Sequence, residues 1–261
     1  MSLERRVHFA SVENNPLDLR DIKSTYRGMR RRLGKRYNVG LSEEIPAFDN
    51  AKDALEHLCL RSIDCEPVDI MLIDRDLEYS EEVFHQVEIK LWGEKVTQDD
   101  IDSQYTAPPN LLGPASEIDL INLTERDDPD KKRDGVDLLN MYHIRTRLSP
   151  IKYSPLDIAV FYTAEEDIVR DHLTTKYKET LLPAMADGSG PIILIQSKGD
   201  DENNELANVY EASLLIHNLV TFGPDGKKLS DSDALDKKRE IATYVTSVNH
   251  SPSKFLELYG N

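Results

Sequence analysis

The sequence predicts an α/β protein, a five-stranded parallel sheet covered by helices on both faces. Three observations carry this. Short, almost wholly apolar runs recur along the chain, among them Ile158–Tyr162 (IAVFY) and Ile192–Ile195 (IILI). Amphipathic helical patterns separate them. Polar residues follow each run directly. A strand that is apolar at every position has neither side facing water, the mark of a parallel sheet sandwiched between helical layers.

In order, Val7–Val12 (VHFASV) reads as the first strand. Pro16 opens a helix, where its missing N–H costs nothing. Leu19, Ile22, Tyr26, Met29 and Leu33 form that helix's apolar face, and Gly34 suits its end. A second strand is expected within Tyr37–Phe48, interrupted by Pro46. Asp49 or Asn50 caps a helix whose inner face is Ala51, Leu55 and Leu58. Val68–Leu77 (VDIMLIDRDL) is the third strand. Gly135 leads a helix carrying Val136, Leu139 and Tyr142. Ile158–Tyr162 is the fourth strand, and a helix with Ile168 or Val169, His172 or Leu173, and Tyr177 on one face follows. Ile192–Ile195 is the fifth strand, followed by a helix through Leu206, Val209, Ile216 and Leu219. A turn at Gly223–Gly226 leads to a last helix, Ser230–Val248, capped by Ser230 or Asp231.

Residues 79–133 differ in character. They are polar and acidic, with Pro108, Pro109, Pro114 and Pro129, and read as a surface insertion with some structure around Val87–Trp92. The expected organisation is a domain over 1–222, interrupted by this insertion, and a helical extension over 223–261.

Charge and composition exclude several classes. With 261 residues, 39% hydrophobic, the chain can bury a full core without staples. A net charge of −16 repels nucleic-acid phosphate. The basic stretch Arg27–Arg36 reads as the solvated, C-terminal part of a helix, where the dipole favours cations, with a patch for nucleic acid or an acidic partner as the alternative. Cys59 and Cys65 read as reduced thiols, and the seven histidines show no zinc-ligand spacing. No apolar run approaches the ~18 residues of a membrane span, and the N-terminus lacks a signal-peptide core. A cytoplasmic protein without a DNA-binding domain or membrane segment is expected.

The chemistry collects at strand ends. Glu13, Asn14 and Asn15 follow the first apolar run, Asp74 and Asp76 the third, Thr163 the fourth and Lys198 the fifth. In a parallel sheet these ends share one edge, where ligands of such folds bind. Carboxylates, a hydroxyl and an ammonium meeting there suit a divalent cation and a phosphoryl group.

The chain resembles the receiver domain of two-component response regulators. The residues that carry the resemblance are Val12–Pro16 (VENNP), Ala51–Leu58 (AKDALEHL), Val68–Asp74 (VDIMLID), Gly135–Arg145 (GVDLLNMYHIR), Ile158–Ala164 (IAVFYTA) and Ile192–Lys198. The resemblance implies a doubly wound, flavodoxin-like sheet of order 2-1-3-4-5. It implies Asp74 as phosphoacceptor, Thr163 as the hydroxyl that bonds the phosphoryl group, and Lys198 as its counter-charge. It implies Mg2+ held by Glu13, Asn14, Asp74 and the carbonyl of Asp76. Its partners would be a histidine kinase or phosphotransfer protein, an output protein reached by contact, and a second copy in a homodimer. Three departures stand out. Asn14 takes the place of the second acid, Ile195 that of an aromatic residue and Gly199 that of a proline, so a receiver-like binding module without phosphorylation is the alternative. A further alternative is a metal-dependent nuclease of PD-(D/E)xK type, with Asp69 and Asp74, Glu88 and Lys90, the last two on a strand at Val87–Lys90.

Overall fold

The computed structural model describes residues 6–79, 83, 86–87, 90, 134–148, 154–199, 202–223 and 226–260. Its main sheet has five strands, all parallel: β2 (Phe9–Val12), β4 (Ala47–Phe48), β5 (Ile70–Ile73), β6 (Ile158–Thr163) and β7 (Ile192–Ser197), in the order β4-β2-β5-β6-β7. The sequence does not predict the separate parallel pair β1 (Arg6–Val7) and β3 (Gly40–Leu41). The first apolar run is thus split at His8. The segment before Phe48 holds two minimal strands on either side of Pro46, which cannot donate to a ladder.

Alternation along each strand builds two cores. Ala10, Val12, Met71, Ile73, Ala159, Phe161, Ile193 and Ile195 face one layer. Its helices are α2 (Ala51–Ile63), α3 (Gly135–Leu148), α4 (Glu166–Thr174) and α5 (Leu181–Asp187). Phe9, Ile70, Leu72, Ile158, Val160, Ile192 and Leu194 face the other. There stand α1 (Pro16–Tyr37), α6 (Glu202–Thr221), α7 (Asp231–Ser247) and α8 (Pro252–Tyr259). Every strand residue named here is at most 2% exposed, which explains why the runs read as apolar throughout. On the second face Phe9, Tyr26 and Tyr210 meet edge-on with centroids 5.5–5.6 Å apart, and the Tyr210 hydroxyl donates to Ile22 O at 3.0 Å.

Several boundaries differ from expectation. Helix α1 runs past Gly34 to Tyr37 and ends where Asn38 adopts a left-handed conformation, φ 52°, its N–H donating to Gly34 O. Asparagine tolerates that region, so the glycine is not needed as the stop. The basic stretch on α1 pairs with acids: Arg27 with Glu44 at 3.0 Å, Arg30 with Glu43 at 3.6 Å, and Arg36 with Glu211. The helix after β6 is two, α4 and α5, and α5 ends at Gly188, φ 81°.

Two corrections concern the insertion and the chain end. At the start of the insertion Val83, Gln86, Val87 and Lys90 are helical, Val87 is 1% exposed and Tyr79 8%. Val83 packs against the same core. The described residues of this stretch therefore belong to the core and not to a surface insertion, because an i,i+4 valine pair finds a buried face there. The rest of the insertion, Trp92 included, lies outside the described residues. The chain closes with two helices, not one. Ile241, Val245 and Phe255 are all fully buried in the second core, and α7 also contacts β7 and α5. Phe255→Ala is therefore expected to cost the whole fold about 3–5 kcal/mol, read as a lowered urea midpoint in one cooperative transition. A separate early transition with the main midpoint unchanged would make 223–261 an independent unit.

Candidate functional site

Four of the sheet's strands present a polar residue at the carboxyl edge. Glu13 follows β2 directly, Asp74 follows β5, Thr163 ends β6 and Lys198 follows β7. Adjacent strands lie about 4.8 Å apart, so Lys198 starts roughly 10 Å from the strand of Asp74. Its long side chain crosses that gap. The ammonium donates to Glu13 Oε2 at 2.8 Å, to Asp18 Oδ2 at 2.6 Å and to Asp74 Oδ1 at 3.4 Å. It also lies 5.5 Å from the ring centroid of Tyr162.

Asp18 was not singled out in the sequence. It sits in the first turn of α1, opened by Pro16 and capped by Asn15, whose side chain accepts from Leu17 N. A carboxylate there faces the positive end of the helix dipole. The signal was available in principle, an acid two residues past a helix-opening proline, but first-turn acids are common in so acidic a chain.

The two loops that carry the acids are tied together. Glu13 Oε1 accepts from Asn15 N at 2.9 Å, and Asn14 Nδ2 donates to Asp76 O at 2.9 Å. Asn14 therefore occupies one lone pair of the carbonyl that the resemblance assigns to Mg2+. The Asp76 backbone N–H also favours the charged form of the Asp74 carboxyl. The Asp76 side chain is turned to Arg75, 2.6 Å away. Thr163 is fully buried, its carbonyl accepts from Lys198 N at 2.9 Å, and its hydroxyl accepts from Glu165 N at 3.1 Å. That hydroxyl thus orders the turn leaving β6.

Three carboxylates surround one ammonium, and two of them, Glu13 and Asp74, are shifted by burial. Glu13 is 1% exposed and Asp74 4%. Burial raises Glu13 to about 7, against the pull of the Lys198 hydrogen bond. Burial likewise raises Asp74, with the Lys198 charge opposing. For Lys198 burial acts downward, but its hydrogen bonds to Asp18 and Glu13 outweigh it and hold the amine above its ordinary range.

A pH prediction follows. The folded chain holds the Glu13 proton up to about pH 7, the unfolded chain only to its ordinary 4.5. The contribution of this residue is fully present below the lower value and is lost as pH rises through the upper one. Glu13→Gln should flatten the fall in unfolding free energy between about pH 5 and 8, by up to about 3 kcal/mol, read from urea titrations across that range. Parallel curves for the two proteins would contradict this.

The alternative residue set does not converge. Asp69 precedes β5 and Asp74 follows it, so their backbones stand roughly 16 Å apart at about 3.3 Å per residue. Lys90 lies in a helical stretch with its ammonium on Glu56 at 2.6 and 2.7 Å. Glu88 lies outside the described residues.

Among the described residues no helix is long and apolar enough to cross a membrane. No protein-family model matches the chain, and no curated protein matches it.

Proposed function

We propose that the protein is a receiver-like switch of flavodoxin-like topology in which Asp74 accepts a phosphoryl group. The observation that carries the reading is the lysine from β7 that reaches both Glu13 and Asp74 across the carboxyl edge of a parallel sheet. A carboxylate oxygen of Asp74 attacks phosphorus, the bond from phosphorus to the donor's leaving atom breaks, and the leaving group departs with the electron pair. Lys198 neutralises charge on the phosphoryl oxygens. Because it now rests on Asp18, its transfer to the phosphoryl group releases an acid in the first turn of α1, which gives the switch a mechanical output toward that helix. A phosphorylating kinase or phosphotransfer protein and a partner recognising the altered surface belong to the same proposal.

The donors fit Mg2+ in kind. Glu13, Asp18 and Asp74 offer hard carboxylate oxygens at one locus. When bound, the ion supplies charge neutralisation at the phosphoryl oxygens. A second reading, a receiver-like binding module that is never phosphorylated, is favoured by Asn14, whose amide holds Asp76 O where a metal ligand is called for. The test is acetyl phosphate with Mg2+ and intact mass. Wild type should gain one phosphoryl group, Asp74→Asn none. In Asn14→Asp a carboxylate would face the Asp76 carbonyl, a repulsion that only a bridging cation relieves. This variant should bind Mg2+ about tenfold more tightly by calorimetry. Unlabelled wild type, with Asn14→Asp equally inert, would leave the binding-module reading.

A further inference from the structure

A second polar cluster stands at the amino edge of the sheet, the opposite edge from Asp74. Asp69 precedes β5, Asp157 precedes β6, and His217 lies near the C-terminal end of α6. One ligand atom from each lies within 4.8 Å of the other two. The acids are held by backbone: Asp157 N donates to Asp69 O at 3.0 Å, Ile192 N to Asp157 O at 2.8 Å, and His8 N to Asp69 Oδ2 at 2.8 Å. Lys238 from α7 approaches Asp157 Oδ1 at 3.7 Å, which leaves Oδ2 toward His217. The His217 side chain is only 6% exposed, and its Nδ1 stands 3.2 Å from Asp157 Oδ2. At that distance the two form an ion contact, although the ring nitrogen lacks a well-directed hydrogen bond. A buried polar atom in that condition calls for a ligand or another explanation.

We propose that Asp69, Asp157 and His217 bind a divalent transition-metal ion of the Zn2+ or Mn2+ class, tying the starts of β5 and β6 to α6. Nitrogen and carboxylate ligands bind such ions at about 2.0–2.2 Å, so two neighbours on one ion stand roughly 2.8–3.6 Å apart, octahedral to tetrahedral. The His217–Asp157 pair already has that spacing, and a ligand atom of Asp69 lies within 4.8 Å of both. A mixed imidazole and carboxylate set favours Zn2+ or Mn2+ over Mg2+, which takes oxygen ligands. Two carboxylates and one lysine leave a net negative locus for the cation, with water in the remaining positions. No sequence spacing announces the site, because its residues come from three distant segments that meet only in the fold. It does not depend on the phosphoacceptor reading.

The test uses the full chain stripped with chelator and then loaded with Zn2+ or Mn2+. Calorimetry should give one equivalent of Zn2+, and the spin-echo spectrum of bound Mn2+ should show a directly bound nitrogen. His217→Gln should remove the nitrogen signal and weaken binding at least about tenfold, as should Asp157→Asn for affinity. Asp74→Asn, altered at the far edge, should keep both. If His217→Gln does not fold, the wild-type nitrogen signal and the Asp157→Asn affinity decide. Wild type that binds no Zn2+, Mn2+ without nitrogen coupling, or folded variants that bind unchanged would overturn the proposal. The three side chains would then be an acid–imidazolium–acid contact.

Discussion

Gly135→Ala is expected to leave little folded protein. A methyl group there would meet Asp74 O at 2.0 Å, Ile73 Cγ2 at 2.9 Å and the Asp74 carbonyl carbon at 3.0 Å. Two of these atoms are backbone of the candidate phosphoacceptor itself, directly after β5. Gly135 N also donates to Arg75 O at 2.9 Å, so α3 is docked directly on the loop carrying Asp74–Asp76. Side-chain overpacking commonly costs about 1–3 kcal/mol; a clash with backbone on this scale exceeds that range and reaches much of a typical domain's stability. Gly28 is the internal control. It lies inside α1, and a methyl group there would meet nothing within 4 Å. Gly28→Ala should raise stability by up to about 1 kcal/mol through helix propensity. Urea titration of both variants checks the pair. Equal, small effects would mean that α3 does not approach Asp74 as described.

Lys198→Met should produce a double loss. It keeps most of the aliphatic stem but leaves Glu13 and Asp74, 1% and 4% exposed, without their cation. Removing one partner of a buried ion pair costs about 3–5 kcal/mol. The loss should shrink as pH falls, because the acids, already raised by burial, then take up protons. Phosphoryl labelling should vanish as well. A second substitution separates the two effects. Lys198→Met with Glu13→Gln should recover part of the stability and none of the labelling. Recovery of both would reduce Lys198 to a structural counter-ion.

The strands were legible in the sequence because both sides of each one are buried, so polarity carried no competing pattern. Ile158–Thr163 and Ile192–Ser197 match the apolar runs almost residue for residue. Short elements were not legible. Helix α8 has its own signals, Ser251 accepting from Lys254 N and Pro252 in the first turn, yet only two turns of pattern follow them. A strand at Val87–Lys90 belongs only to the nuclease alternative, and the described valines 83 and 87 instead share a helical face against the core. At the site, Glu13, Asp74 and Lys198 could be found because each directly follows a strand, and topology then sets their place. Asp18 could not, since its position depends on how α1 leaves β2. The Asp69, Asp157 and His217 cluster is further from reach, because it requires the packing of α6 across the sheet.

The most direct test of the central claim is the chemical position of the phosphoryl group. The chain is treated with acetyl phosphate and Mg2+, reduced with borohydride and digested for peptide mass analysis. An aspartyl phosphate is an acyl phosphate, and hydride reduces its carbonyl to the alcohol of homoserine. Homoserine at position 74, absent without acetyl phosphate and absent in Lys198→Met, is the predicted result. Intact aspartate at 74 under saturating donor and Mg2+, or homoserine at another acid, would contradict the account.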